Sequence, residues 1–168
     1  MIGCTSEEAA MEGEVGSIER EVRVAAPPDV VYEVLSTPEH LALWWSDDAV
    51  LGEARPGAEG ELVFGTRGEP DAVVERLTVV EADPPRVFAF RWTHAAGEAA
   101  APGNSYLVTF ELVPDGAGTL LRMVETGFRE RGWEVAVLEE RYADHVQGWD
   151  WFLPRLAAHA TALAQARP

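Results

Sequence analysis

The last third of the chain constrains the fold most, because its large side chains recur at helical spacing over about thirty residues. They alternate at steps of four and three: Leu138, Tyr142, His145, Trp149, Phe152, Leu156, His159 and Leu163. This spacing keeps one face of a helix apolar and aromatic, and it predicts an α-helix over residues 135–164. Such a helix is roughly 40 Å long and must be covered by another part of the chain. Pro154 lies inside it, where we expect a kink.

Alternating apolar residues predict a series of strands before that helix. We expect them near residues 17–24, 60–65, 72–82, 87–92, 106–112 and 120–125. The facing of the strand at 72–82 stays open, because both of its faces mix apolar and charged residues. Pro114, Asp115 and Gly116 predict a hairpin turn, so the strands around it form an antiparallel meander. Prolines near residues 27–28 and 38 predict two short helices after the first strand.

The order of elements is therefore one strand, two short helices, a run of strands and one long helix. This order favours an α+β fold in which a curved antiparallel sheet of about six or seven strands wraps around the C-terminal helix. We expect residues 17–168 to form this single domain. Residues 1–16 carry four glutamates and show no periodicity, so we expect a disordered acidic leader there. Whether the sheet and the helix enclose a cavity is the functional question.

The charge of the chain excludes several kinds of partner. It carries 29 acidic residues against 13 basic ones, all of them arginine, and its formal net charge is −16 at pH 7. That field repels phosphates, so we expect no nucleic-acid partner and no membrane partner. The lack of lysine excludes Walker-type phosphate loops and Schiff-base chemistry. Cys4 is the single cysteine, so no disulfide forms within the chain, and we expect a cytoplasmic protein.

Motifs for metals, cofactors and nucleophilic catalysis are missing from the sequence. The four histidines, His40, His94, His145 and His159, do not have the paired spacing of metal ligands. The sequence contains no Gly-x-Ser-x-Gly elbow and no glycine-rich dinucleotide fingerprint. We therefore expect no metal and no cofactor, and the residues by themselves indicate no particular reaction.

Several short motifs occur in the same order in one known family. They are the segment from Val24 to Tyr32, Pro38-Glu39-His40, Trp44-Trp45, the segment from Pro84 to Phe88 leading to Trp92, Val108 to Gly118 followed by Thr119, Gly127-Phe128, and His145 followed by Gly148-Trp149. On these motifs, about residues 17–165 resemble the START-like helix-grip superfamily (SRPBCC). The branch they resemble is the one named after the activator of the ninety-kilodalton heat-shock protein ATPase.

The resemblance implies a curved antiparallel sheet that grips the C-terminal helix, with a pocket between them. In many relatives this pocket takes an apolar small molecule. No single reaction is implied, because members of the superfamily include carriers, cyclases, hydroxylase domains and co-chaperone modules.

Ten side chains are candidate ligand-binding residues in the space between sheet and helix. They are Trp44, Trp45, Phe64, Phe90, Trp92, Tyr106, Glu125, His145, Trp149 and Phe152. The alternative is that the aromatic rings fill this space as ordinary core. Six tryptophans in a small domain favour a partly open cavity, because such large rings rarely all become fully buried.

Glu125 departs from the family pattern, since many relatives carry histidine or a neutral residue at its place. If Glu125 points inward it needs a partner or a raised pKa, and the candidate partners are His145 on the long helix and an arginine such as Arg20. Glu125 and His145 are also the candidate catalytic residues. His145 can be a structural hydrogen-bonding residue, a polar anchor for a ligand, or a general base for a ligand with an acidic C–H or O–H. Arg122 is expected to face outward.

Three functions therefore compete. The first is a cytoplasmic module that binds a small hydrophobic or aromatic molecule, uncharged or cationic, in the cavity. The second is an enzyme of the cyclase or hydrolase kind with Glu125 and His145 as an acid–base pair. The third is an interaction protein, either a co-chaperone-like domain or a homodimer.

Overall fold

The computed structural model describes residues 16–167, so the predicted disordered leader lies outside the described residues except for Gly16. The elements are β1 (Ser17–Val24), α1 (Pro28–Ser36), α2 (Pro38–Trp44), β2 (Asp48–Leu51), β3 (Glu59–Phe64), β4 (Val73–Asp83), β5 (Val87–Trp92), β6 (Tyr106–Asp115), β7 (Gly118–Thr126), a 3-10 helix (Arg129–Arg131) and α3 (Val135–Ala166). The strands form one sheet in the order β1-β7-β6-β5-β4-β3-β2, and every neighbouring pair is antiparallel. The predicted α+β helix-grip class is confirmed.

The long helix α3 begins where the sequence predicts and ends two residues later than predicted. Its buried residues are Trp149, Leu153, Leu156 and Ala160, which recur at three- and four-residue steps along one face. The indole of Trp149 lies edge-on to Phe110 of β6, with ring centroids 6.1 Å apart. The helix therefore packs on the aromatic face of the sheet, as its periodicity requires.

A β-bulge explains why the facing of β4 could not be decided from its sequence. Leu77 and Val79 are buried and pair with Trp92 and Phe90 of β5, but the pairing then shifts between Val79 and Glu81. A bulge inserts one extra residue and reverses the alternation beyond it. Inward residues are therefore odd-numbered before the bulge and even-numbered after it, which mixes the two faces in any simple reading of the pattern.

The edge strand β2 was not predicted, because it has only four residues and its Val50 is exposed. Its pairing with β3 depends on a glycine. A Cβ atom at Gly60 would lie 2.3 Å from the carbonyl oxygen of Val50, so no other residue type fits this close approach of two backbones.

A pair of histidines joins α2 to the long helix. Nδ1 of His40 lies 2.8 Å from Nε2 of His159, and both side chains are partly buried. One ring must donate and the other accept, so the bond requires at least one neutral imidazole. Burial, together with the neighbouring His40, lowers the pKa of His159. Glu33, which pairs with Arg167, also interacts electrostatically with His40.

This pair predicts a loss of stability in mild acid. Because the folded state holds the pKa of His159 below its ordinary value of 6.5, the unfolded chain takes up the proton first as the pH falls. The stabilisation associated with His159 is fully present above the ordinary pKa of 6.5, and it is lost as the pH falls toward the lower pKa of the folded state. We expect the free energy of unfolding to decrease between about pH 7.5 and about pH 5.5, and to decrease less in His159→Gln, whose amide bonds His40 without titrating. Urea unfolding across this range measures both slopes, and equal slopes would contradict the assignment.

Candidate functional site

The site is organised around Glu125, a carboxylate inside the protein. Along β7 the pleat turns Leu121, Met123 and Glu125 to the same inner face, and all three are at most 1% exposed. Burying a carboxylate in an apolar interior is costly unless it receives hydrogen bonds. Its partners therefore decide what the site can do.

Three side chains donate hydrogen bonds to Glu125. Its Oε2 accepts from the indole Nε1–H of Trp92 at 2.8 Å. Its Oε1 accepts from Nε1–H of Trp149 at 2.9 Å and lies 2.6 Å from Nδ1 of His145. His145 and Trp149 are four residues apart on α3, so one helical face supplies both groups.

Of the two partners predicted for Glu125, His145 is right and Arg20 is wrong. The guanidinium of Arg20 instead pairs with Asp150 of α3 at 2.8 Å, in a partly exposed position near the edge of the sheet. The prediction that Arg122 faces outward agrees with its ion pairs to Glu21 and Glu111, all on the exposed surface.

The bond to Glu125 fixes how His145 presents its ring. The two indoles can only donate, which suits a carboxylate acceptor, and Nδ1 of His145 then carries the ring proton. In a neutral imidazole the opposite nitrogen, Nε2, has a free lone pair and points away from Glu125. The His145 side chain is 16% exposed, so this lone pair can reach a molecule outside the interior. A buried carboxylate that orients a histidine in this way is a common means of preparing a general base.

Trp45 is the centre of a packed aromatic cluster in the space between sheet and helix. Its ring centroid lies 4.9 Å from that of Trp92, 5.2 Å from Trp149, 5.7 Å from Phe90 and 5.4 Å from Trp44. All five indole or phenyl rings are at most 9% exposed. The candidate ligand-binding residues Trp44, Trp45, Phe90, Trp92 and Trp149 thus pack mainly against one another. Whether they contact a ligand stays a prediction.

The other candidate residues lie around this cluster. Phe64 is partly buried and edge-on to Trp45, and Phe152 is partly buried on α3. Tyr106 and His145 lie at one end of the cluster, with ring centroids 4.4 Å apart, and both border a cleft that opens to solvent.

We call this depression the His145 cleft. It has a volume of about 210 Å³ and is formed by residues of β4, β6, α3, the 3-10 helix and the segment before α3, together with Thr93, which follows β5. Its walls are Glu75, Thr93, Tyr106, Arg131, Trp133, Arg141, Asp144 and His145. Only Tyr106 and His145 among the ten predicted site residues line it. The six further residues were missed by the sequence reasoning.

The positions of the missed residues explain why no pattern revealed them. Arg131 and Trp133 belong to an irregular segment, where Gly132 adopts a left-handed conformation (φ 72°) that turns the chain between them. Glu75 lies in β4, where the bulge after Val79 mixes the two faces of the strand in the sequence pattern, so its inward facing could not be derived from alternation. Thr93 has φ 75°, which is rare for a β-branched residue and can mark a functional site.

Arg131 is held between two aromatic rings at the cleft. Its guanidinium carbon lies 4.6 Å from the ring centroid of Tyr106 and 5.1 Å from that of Trp133. Nη2 donates to the hydroxyl of Thr93, whereas the buried Nε–H has no hydrogen-bond acceptor among the described residues. Burial raises the pKa of Tyr106 to about 12, although the nearby Arg131 opposes this rise. Tyr106 is therefore a neutral phenol at physiological pH, and Arg131 supplies fixed positive charge.

Glu75 is a titratable group of β4 that lines the cleft. Burial raises the pKa of its carboxyl, while electrostatic interactions with His145, Arg131 and Arg141 oppose the rise. Within residues 16–167, no group donates a hydrogen bond to the Glu75 carboxyl. The cleft therefore combines an oriented histidine, a carboxyl that holds its proton more tightly than usual, and a guanidinium.

Two further observations concern metals and membranes. Among residues 16–167, no three His, Cys, Asp or Glu side chains converge on a point where a metal ion could bind. Over the same residues, no helix has both the length and the apolar character needed to cross a bilayer.

Comparison with known proteins gives one family and a common fold. The model of the family described as Activator of Hsp90 ATPase homolog 1-like protein matches residues 25–161. The structure of protein NE0264 from Nitrosomonas europaea is 16% identical with a TM-score of 0.70, and the match covers 88% of this chain and 96% of that one. Protein MLL2253 from Mesorhizobium loti is 20% identical with a TM-score of 0.65, covering 84% and 94%.

A third solved structure is that of the Aha1 dimer from Colwellia psychrerythraea, with 19% identity and a TM-score of 0.59. The match covers 84% of this chain and 92% of that chain. No curated protein sequence matches significantly. At these identities the structural matches establish the fold alone.

The three hydrogen bonds at Glu125 predict a specific cost for its amide analogue. In Glu125→Gln the new NH₂ group must face an indole N–H or the Nδ1–H of His145, so at least one buried donor loses its acceptor. We expect a loss of about 1 to 3 kcal/mol in the free energy of unfolding, measured by urea denaturation. The matched control is Glu111→Gln, an exposed carboxylate on β6, which we expect to change stability by less than about 0.5 kcal/mol. Equal effects in the two variants would contradict the role given to Glu125.

Proposed function

The chain belongs to the family of Activator of Hsp90 ATPase homolog 1-like proteins, and from this membership and its geometry we propose that it is a helix-grip domain that binds a small aromatic molecule. The binding site we propose is the His145 cleft together with the adjoining end of the aromatic cluster. The observation that carries the proposal is the exposed face of His145, a histidine oriented by a buried carboxylate and surrounded by aromatic rings. Such a convergence of polar and aromatic groups in a concave site is typical of ligand recognition.

The size of the cleft limits the ligand. Its volume of about 210 Å³ is below the roughly 300 to 1,000 Å³ of sites that hold drug-sized molecules. A molecule with one or two small rings fits this space. Trp133 is partly exposed and lines the cleft, so its ring can contact a bound ring, whereas the Tyr106 ring is 3% exposed and is covered by Arg131 and His145.

The charges around the cleft favour an uncharged ligand. Arg131 and Arg141 disfavour the cationic ligands that the net charge of −16 would otherwise attract. Asp144 and the buried Glu125 disfavour anions. A neutral ring that carries a carbonyl or hydroxyl oxygen is compatible with the positive and the negative charges around the cleft. Its oxygen can accept a hydrogen bond from Arg131 or from Tyr106.

A second candidate function is acid–base catalysis. The distance of 2.6 Å between Nδ1 of His145 and Oε1 of Glu125 favours it, because the predicted pair is within hydrogen-bonding reach. In this interpretation His145 is the base that contacts the ligand, and Glu125 is a positioning residue that holds the ring. Binding and catalysis would then use the same cleft.

Self-association is a separate proposal, supported by the likeness to the Aha1 dimer from Colwellia psychrerythraea. We expect a mass of two chains, against 18.3 kDa for one, in light scattering coupled to size-exclusion chromatography. A mass of one chain at all concentrations would contradict it.

The binding proposal predicts the effect of removing one wall of the cleft. We expect one- and two-ring aromatic ketones and phenols to bind and to raise the melting temperature. In Trp133→Ala we expect affinity to fall by up to about tenfold, because ring contacts are worth roughly 0.5 to 1.5 kcal/mol beyond their buried area. Ligand titrations followed by NMR measure the affinities.

Trp151→Ala is the matched control, since Trp151 is 65% exposed on α3 and does not line the cleft. We expect this variant to bind like the unchanged protein. If no member of the panel binds, or if both variants lose affinity equally, the His145 cleft is not the binding site.

A further inference from the structure

We propose that the His145 cleft catalyses the enolisation of small aromatic ketones, with His145 as the base, Glu75 as the acid and Arg131 as the group that stabilises the oxygen. The inference rests on the proposed function, since it requires that a ligand bind in this cleft. It adds a substrate class, neutral carbonyl compounds with a C–H bond next to the carbonyl, and it assigns a catalytic role to Glu75.

His145 is held in one orientation by its neighbours. Oε1 of Glu125 lies 2.6 Å from Nδ1 of His145. The imidazole ring is enclosed by the rings of Trp92, Tyr106 and Phe128, at centroid distances of 5.5, 4.4 and 5.2 Å. The ring is thus held on several sides, and its second nitrogen faces the cleft. A fixed lone pair in a partly desolvated site is what a general base needs.

Glu75 lines the same cleft as His145. This carboxyl reaches the cleft from β4, whereas His145 reaches it from α3, so a molecule bound in the cleft can contact both groups. The Glu75 carboxyl interacts electrostatically with His145, Arg131 and Arg141, and no hydrogen bond from residues 16–167 satisfies it. Burial raises its pKa, which favours the protonated form that can donate. Two titratable groups whose environments differ in this way can divide the roles of base and acid.

Arg131 lies beside the cleft with its guanidinium held in place. Its guanidinium is fixed between Tyr106 and Trp133 and bonded to Thr93, while its buried Nε–H has no acceptor among the described residues. A positive group held in place beside a cleft stabilises negative charge that develops on a ligand oxygen. An aromatic ketone that stacks on Trp133 directs its oxygen toward this guanidinium.

The reaction balances without any further reagent. Nε2 of His145 removes the proton from the carbon next to the carbonyl, and the electron pair of that C–H bond forms the C=C bond of the enolate. The π electrons of the C=O bond move to the oxygen, where Arg131 stabilises the charge and the Glu75 carboxyl donates its proton. The products are the enol, an imidazolium and a carboxylate, and water in the open cleft returns the proton from His145 to Glu75. Reversal in D₂O places deuterium on the carbon.

The test uses 2-indanone as the probe, because it has two small rings and exchangeable C–H bonds on both sides of its carbonyl. Loss of its CH₂ signal in D₂O is followed by proton NMR, with and without the full-length protein. General acid–base catalysis contributes about 10²- to 10⁴-fold, so we expect exchange at saturating protein to exceed the buffer rate by about 100-fold or more. Binding of 2-indanone, and of indane, which lacks the carbonyl, is measured separately by saturation-transfer NMR.

The variants are His145→Gln, which keeps a side chain that can bond Glu125, and Glu75→Gln, which keeps the shape of the acid. We expect both to bind 2-indanone and to lose at least about tenfold in exchange rate. Glu75→Gln should also lose the decline in rate at high pH that the unchanged protein shows as Glu75 gives up its proton. His159→Gln and Glu111→Gln, which lie outside the cleft, are the matched controls and should retain the rate.

The outcomes separate the two proposals. Binding of 2-indanone without accelerated exchange, or exchange that is unaffected by either cleft variant, overturns the enolisation proposal and leaves the binding function intact. If neither 2-indanone nor indane binds, the binding function fails for this class of ligand, and the catalytic proposal fails with it. A rate that Glu75→Gln lowers equally at all pH values overturns the role of Glu75 as the acid.

Discussion

The hydrogen bonding of Glu125 is the constraint on which the interior of this protein depends. A carboxylate with no exposed surface is stable only while its donors stay in place, and those donors come from β5 and from α3. The two bonds from His145 and Trp149 therefore fix the rotation and the axial position of the long helix on the sheet. The three bonds to Glu125 also align the indoles of Trp92 and Trp149, between which Trp45 packs. An apolar residue at position 125 could fill the space but could not specify this register.

This constraint divides the interior into two parts with different uses. On one side of Glu125 the rings of Trp44, Trp45 and Phe90 close-pack, and such packing stabilises the grip of the sheet on the helix. On the other side His145 reaches the surface and meets the irregular segment that carries Arg131. The chemistry that we propose is placed in this second part, because the oriented histidine reaches solvent-accessible space there.

The sequence was sufficient for the fold and for only part of the site. The period of α3, the hairpin near Asp115 and the paired prolines each reflect a local rule, so the architecture followed from them. The partnership of Glu125 and His145 could be posed from strand alternation and helix periodicity, since both residues lie in regular elements. Glu75 could not be assigned, because the bulge after Val79 depends on pairing with β5.

The irregular segment between β7 and α3 shows why the remaining half of a site tends to escape such reasoning. Arg131 acquires its position from a left-handed Gly132, from the hydroxyl of Thr93 and from two aromatic rings on different elements. None of these contacts leaves a periodic trace, because loops obey tertiary contacts and not a repeat. The regular elements β7 and α3 thus supply the oriented imidazole of His145, and the irregular segment supplies the positive charge of Arg131 beside it.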